Sequence, residues 1–314
     1  YGPVSKTMPT VSVIIPAKDA AETLPRALES IAAQTYQNII EVIVATSDRE
    51  STDAATSHER AIVVDNPSGS TPTALNLAWL ASTGDIIARC DAQSVLPPGY
   101  ISRAVKTMRR TGAANVGGRQ LPIGETRFQR AIAAAMTSPL GTGDARYRRG
   151  GPEGAVETVY LGVFDRRVLE DLNGFDEAFL RTQDYELNHR IVKSGAIVWF
   201  DPELAVEYTP RKTLGEIAMQ YYEYGVAKRQ FGRLHQGSLR WRQFLPPLFV
   251  VGLAGSILLS IWWPLALLAP AGYLVVVLMA GVATRVSPLR TAAAIVTMHV
   301  CWGIGFLSGK WSTK

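Results

Sequence analysis

Acidic residues are missing from the end of this chain. From Phe244 to Lys314 there is no Asp or Glu, and the only charges are Arg285, Arg290, Lys310 and Lys314. That tail carries most of the formal net charge of +5 over 314 residues. The basic character therefore does not mark a nucleic-acid-binding face, and an acid-free tail this apolar does not suit a soluble domain. Cysteine is as sparse. Cys90 and Cys301 stand far apart with no CxxC partner, which excludes a disulfide framework and a thiolate zinc site. His58, His189, His235 and His299 show no metal-ligand spacing. The first nine residues are short and polar and lack the apolar run of a secretory leader, so the first domain is expected to stay on the cytoplasmic side.

What is present divides in two. Apolar runs at 11–16, 42–45, 61–64 and 84–90 alternate with helical patterns at 22–34 and 73–81. This order predicts an α/β domain with a mostly parallel sheet and helices on both faces. Residues 100–110 form the next helix. Further on, 131–136 reads as a short helix, 158–164 as a strand, 166–172 and 184–193 as helices, and 196–200 as a last strand. Between them, GTGDARYRRGGPEG at 141–154 carries three Arg and no apolar period. It reads as a mobile loop, either plain surface or a basic flap over an anionic substrate.

The second half is apolar. Residues 214–234 form an amphipathic helix, with Leu214, Ile217, Ala218, Tyr221 and Gly225 on one side and Lys228, Arg229 and Arg233 on the other. Such a helix suits either the lipid interface or packing on its own domain. Segments 244–263, 265–284 and 291–307 are each near the ~20 residues needed to span a bilayer. Gly303, Gly305 and His299 dilute the third. Arg240 and Arg242 precede the first segment, and Arg285 and Arg290 follow the second. Both pairs fall on one side of a hairpin of spans, as the positive-inside rule requires. The boundaries read as 1–212 for the α/β domain, 213–243 for an interface region and 244–314 for the membrane region.

Chemistry is expected where the strands end. Asp91 follows the run Ile86-Ile87-Ala88 and would stand at the crevice where open α/β sheets take ligands. There it either holds a divalent cation, which in turn holds a diphosphate, or caps its own turn. Pro16, Ala17, Lys18 and Asp19, with the polar stretch TSDRESTD at 46–53, offer a nucleotide pocket. Asp184 begins a helix, where the macrodipole favours a carboxylate. One carboxylate on a cation and another free as a base are what an inverting sugar transfer requires. The cation stabilises charge on the leaving diphosphate, and the base takes the proton of the attacking hydroxyl.

Six stretches, in order, carry a family resemblance: VSVIIPAKDAAETL, EVIVATSDRESTD, DNPSGSTPTALN, ARCDAQSVLPPGY, NGFDEAF and TQDYELNHRIVKSGAIVWFDPE. Over residues 11–228 the chain resembles a family 2 glycosyltransferase with a GT-A catalytic domain, a Rossmann-like mixed sheet that binds nucleotide-diphospho-sugars. More narrowly it is similar to the membrane-anchored bacterial type associated with succinoglycan-like polysaccharide synthesis. The resemblance implies a Mn or Mg cation on Asp91 and Gln93, with Gln93 replacing the usual acid of that motif. It implies donor contacts from Pro16, Ala17, Asp19 and Asp48, with Lys18-Asp19 where Asn-Glu or Asn-Asp is usual. It places the general base on Asp184, with Gln183 replacing a frequent Glu. Lys228 is a further candidate contact to the donor diphosphate, against a solvated or lipid-facing role. QYYEYGVAK at 220–228 stands where processive synthases carry an arginine-tryptophan signature, which favours single sugar addition.

The implied partners are a nucleotide-diphospho-sugar donor, a lipid-linked or glycan acceptor, and membrane lipids, with no nucleic acid. The expected location is the plasma membrane, multi-pass, with the catalytic domain in the cytoplasm. Two other readings stay open. One is a polyprenyl-phosphate sugar synthase, whose phosphate acceptor needs little base catalysis. The other is a catalytically inactive membrane scaffold, kept open by Lys18 and Gln93.

Overall fold

A computed structural model describes residues 8–143 and 145–309. The stretch read as lacking a leader falls mostly on residues 1–7, outside the described residues. In chain order the elements are β1 (Val11–Ala17), α1 (Leu24–Ala32), β2 (Ile39–Thr46), α2 (Arg49–Thr56), β3 (Ala61–Asp65), α3 (Thr71–Ala81), β4 (Ile86–Arg89), α4 (Tyr100–Thr111) and β5 (Asn115–Pro122). Then come α5 (Arg127–Thr137), α6 (Pro139–Thr142), α7 (Arg146–Arg149), β6 (Gly154–Ala155), β7 (Tyr160–Asp165), α8 (Arg166–Asp171), α9 (Gln183–Lys193) and β8 (Val198–Tyr208). Four long helices close the chain: α10 (Leu214–Leu234), α11 (Leu245–Leu259), α12 (Leu268–Ala283) and α13 (Pro288–Ser308).

The chain divides into two compact units, Tyr1–Leu121 with Gly150–Tyr208, and Pro122–Arg149 with Thr209–Lys314. These differ from the boundaries read in the sequence, because the excursion 122–149 goes with the C-terminal helices.

The first unit is built on one eight-stranded sheet, ordered β3-β2-β1-β4-β7-β5-β8-β6. The apolar runs fix its centre: Val11, Val13, Ile14 and Ile15 of β1 and Val42 to Ala45 of β2 are buried. β1 pairs in parallel with both β2 and β4, so the strand order reverses beside β1. That reversal is the switch point where such sheets bind ligands. β7 runs antiparallel to β4 and β5, which makes the sheet mixed, as a GT-A domain requires. Three sequence readings need correction here. Residues 46–53 are not all loop, since α2 starts within them. β5 was not expected. The last strand runs to Tyr208, not 200.

The second unit is helical. Three helices are long and apolar enough to cross a membrane: Trp241–Leu259, Pro264–Ala283 and Pro288–Ser308, with mean hydropathies of 1.5, 2.3 and 1.5. Leu248, Ile261, Trp262, Leu268 and Met279 expose apolar side chains, far more than a water-facing surface tolerates. The residues that dilute the third segment all face inward. A Cβ on Gly305 would lie 2.0 Å from the Tyr222 carbonyl, and one on Gly225 would lie 2.1 Å from that of Trp302. Only glycine permits this approach of α10 to α13. His299 Nε2 donates to the Leu140 carbonyl (2.8 Å), so Nδ1 accepts from the Tyr273 hydroxyl (2.9 Å). The stretch 141–154, read as a mobile loop, contains α7 and β6, with residue 144 outside the description. Lys228, read on a basic outer face of α10, is buried.

Candidate active site

Two clusters form at the carboxyl ends of β1, β2 and β4. The first joins the ends of β1 and β2, where Pro16 pairs with Ala45 and Ala17 with Thr46. Asp48 caps α2. Its Oδ1 accepts from the Ser51 amide (2.8 Å), and its Oδ2 accepts from the Ser51 hydroxyl (2.9 Å) and the Asp19 amide (2.9 Å). Asp19 takes a left-handed φ of 50°, which turns the chain back over this cap. Burial works against ionisation of Asp48, but the hydrogen bonds from Ser51 and Asp19, with Lys18 nearby, outweigh it and hold the carboxyl below its usual range. The structure thus brings Pro16, Ala17, Asp19 and Asp48 together.

The second cluster centres on a residue the sequence reading passed over. Arg89, the last residue of β4, is only 4% exposed. Its Nε donates to Asp91 Oδ1 at 2.8 Å, and its Nη1 pairs with Asp184 Oδ1. One buried guanidinium therefore joins the two carboxylates expected to do different jobs. Asp184 reaches it because the segment before α9 is pinned. Asn76 of α3 donates to the Phe175 carbonyl and accepts from the Phe175 amide, each at 2.8 Å. Arg190 of α9 donates to the carbonyls of Leu172 and Gly174.

Electrostatics here differ from the sequence expectation for Asp184. Burial, not the macrodipole, is the leading influence, and it pushes the carboxyl above its ordinary value of 3.8. Arg89 pulls it back, and Asp91 adds to the rise. The Asp184 side chain is 33% exposed, so water moderates the effect. Arg89 itself is held charged by both carboxylates despite its burial.

The chemistry of the donor set bears on a divalent cation. Among the described residues no three His, Cys, Asp or Glu side chains converge. Asp91 accepts from Arg89 through Oδ1, and Gln93 is exposed on the following turn. Mg-type cations are commonly held by one or two carboxylates plus substrate phosphates and water. These residues fit a cation clamped between Asp91 and a bound diphosphate, not one caged by protein alone. Lys228 belongs to the second unit, where its Nζ lies 4.8 Å from the centre of the Phe231 ring.

Arg89→Lys gives a stability test. Lysine keeps the charge but cannot bond two carboxylates through a rigid fork. Losing one charge-assisted bond is expected to lower stability by about 1.5–3 kcal/mol. Denaturant midpoints of the two proteins in the same detergent check this, and equal midpoints would show that the bridge carries no stability.

The family described as Glycosyl transferase family 2 matches residues 12–172. Succinoglycan biosynthesis protein ExoA of Rhizobium meliloti is 30% identical over 311 residues, covering 94% of this chain and 93% of that protein. A dolichyl N-acetyl-alpha-D-glucosaminyl phosphate 3-beta-D-2,3-diacetamido-2,3-dideoxy-beta-D-glucuronosyltransferase of Methanococcus voltae is 22% identical over 249 residues, covering 74% and 76%. Among solved structures, the mannosyltransferase PcManGT from Pyrobaculum calidifontis, in complex with GDP-Man and Mn2+, superposes with a TM-score of 0.64 at 19% identity, covering 95% of this chain and 89% of that one.

Proposed function

The chain belongs to glycosyltransferase family 2, and on that premise we propose that it adds a single sugar, with inversion, from a nucleotide-diphospho-sugar to a lipid-linked or polysaccharide acceptor at the membrane. The observation that carries this reading is the pair Asp91 and Asp184 on either side of Arg89 at the switch point of the sheet. Relatives in polysaccharide and lipid-linked glycan synthesis support the acceptor class.

The cluster of Pro16, Ala17, Asp19 and Asp48 receives the nucleoside. Asp91, with Gln93, would hold a Mn or Mg ion, whose charge would offset that of the departing diphosphate. Asp184 accepts the proton of the acceptor hydroxyl. The new bond forms from that oxygen to the anomeric carbon as the bond to the diphosphate oxygen breaks, so the anomeric configuration inverts. Lys228 is buried within the second unit.

Thermal shift tests this reading. Mn alone is expected to stabilise the protein little, since Asp91 is a thin site without a diphosphate. Mn with the matching nucleotide-sugar is expected to stabilise it by about 2.7 kcal/mol at a hundredfold excess over Kd. Transfer of the labelled sugar to a lipid or glycan fraction, with the anomer read by NMR, completes the test. Failure of every nucleotide-sugar to stabilise the protein or to turn over would sink the reading.

A second reading has one observation behind it. Asp184 is already engaged by Arg89, and an acceptor that is itself a phosphate, as in a polyprenyl-phosphate sugar synthase, needs no base.

The three span-length helices indicate membrane association. The proposed topology puts the catalytic unit, Arg240, Arg242, Arg285 and Arg290 on the cytoplasmic side. In a background without Cys90 and Cys301, Arg285→Cys is expected to react with an impermeant maleimide only after lysis. Labelling in intact cells would reverse the topology.

A further inference from the structure

Arg148, on α7 in the helical unit, is 8% exposed. Its Nη1 donates to the Tyr221 hydroxyl at 2.8 Å, and its guanidinium carbon lies 5.4 Å from the centre of the Tyr147 ring. Its Nε is buried and has no hydrogen-bond partner. Among the described residues no carboxylate pairs with it, and the charged or polar groups that act on it most are the hydroxyls of Tyr147, Tyr221 and Tyr224. An arginine cannot shed its proton to escape burial. A buried cation without a counter-charge is unfavourable unless something else supplies that charge.

The surroundings point to what supplies it. Tyr221, Tyr224 and Lys228 recur at i, i+3 and i+7 along α10 and so share one helix face. Tyr221 and Tyr224 meet edge to face at 5.5 Å, and Gln220 Nε2 donates to the Tyr224 hydroxyl at 3.0 Å. A buried guanidinium with an unpartnered Nε, beside tyrosine hydroxyls as further donors, suits an anion with several acceptor oxygens. The free edge of a guanidinium matches phosphate oxygens two at a time. The segment that carries Arg148 is also braced on a span-length helix, since Leu140 bonds His299 of α13 and Gly141 lies against Met298. A phosphate that reaches Arg148 from the bilayer arrives attached to a lipid.

From this we infer that Arg148, positioned by Tyr221, binds the phosphate of a polyprenyl-phosphate-linked acceptor. The inference rests on the reading of a lipid-linked acceptor and names its anionic group. Binding is measured without donor, so a failure of transfer and a failure of this site are told apart.

The test uses the full chain in phosphatidylcholine nanodiscs with three probes: polyprenyl phosphate, inorganic phosphate and a nucleoside diphosphate with Mn. Arg148→Met is expected to weaken polyprenyl phosphate at least tenfold and leave the nucleotide Kd unchanged. Its melting temperature without ligand is expected to hold or rise, because the unpaired buried charge is gone. Arg148→Lys keeps charge without the fork and is expected to weaken polyprenyl phosphate severalfold. It carries the test if Arg148→Met does not fold. An unchanged polyprenyl phosphate Kd in the folded variant overturns the proposal. So does equal binding of inorganic phosphate by the native chain, which makes the lipid irrelevant, and so does a parallel loss of nucleotide binding, which assigns the site to the donor.

Discussion

Asp184→Asn is expected to lower turnover by about 10²–10⁴-fold, the usual contribution of a general base. The substitution keeps the shape of the side chain and an oxygen for Arg89 but makes that bond neutral, so some stability is lost while donor Kd should change little. A purely structural role at the start of α9 would be met by Asn about as well as by Asp. The native enzyme carries a second signature. Burial and Asp91 raise the Asp184 carboxyl, and Arg89 only partly restores it. A base must be deprotonated to act, so turnover falls as pH drops through that raised value. The acid limb of the kcat profile therefore lies above the 3.8 of an ordinary aspartate, and it disappears in Asp184→Asn. Near-normal turnover in a folded Asp184→Asn would favour the phosphate acceptor, which needs no base.

Asp91→Ala is expected to remove detectable transfer. The cation is assigned several kcal/mol of charge stabilisation on the leaving group, which is roughly 10³-fold or more in rate. Two controls separate this from damage to the bridge. Asp91→Asn keeps a hydrogen-bond acceptor for Arg89 while weakening the cation ligand, so it should fold, with less loss of stability than Asp91→Ala, and be nearly inactive. Gln93→Asp adds a carboxylate beside the first and should tighten Mn binding in the presence of nucleotide. Activity that survives both a chelator and Asp91→Ala would end the metal assignment.

Much of the first unit was legible because its strands are short, continuous apolar runs. Val11 to Ile15 and Ile86 to Ala88 can hardly be anything but buried strands, and the strand end at Asp91 followed from them. Three features were hidden for different reasons. Arg89 sits inside an apolar window, and its partner Asp184 is 95 residues away in sequence. The available signal was the arginine itself, since such a charge is rarely buried unless paired. β5 reads NVGGRQLP, with two glycines and no apolar run. Glycine is required there, because a Cβ on Gly118 would lie 1.8 Å from the Leu204 carbonyl. TSDRESTD looked like a loop because its helix is polar, and only the cap made by Asp48 marks where it starts. In α13 the glycines that weakened the hydropathy pattern proved to be contact points, Gly305 with α10 and Gly303 with α11. A composition scale cannot separate a glycine that dilutes a span from one that lets two backbones touch.

The excursion 122–149 also sets an order of events during synthesis. α5 buries Ala131, Ile132, Ala135 and Met136, and α13, which packs against it, begins at Pro288. At the usual ribosomal pace of about 5–20 residues per second, roughly ten to thirty seconds separate the emergence of the two helices. Every strand of the sheet has been made by Tyr208, before any span-length helix exists. The catalytic unit can thus complete its sheet while α5 still shows the ribosome's surroundings an apolar stripe without its final cover. Nascent chains halted before Pro288 should therefore hold a protease-resistant sheet and a chaperone-binding α5, and that binding should vanish once α13 has emerged.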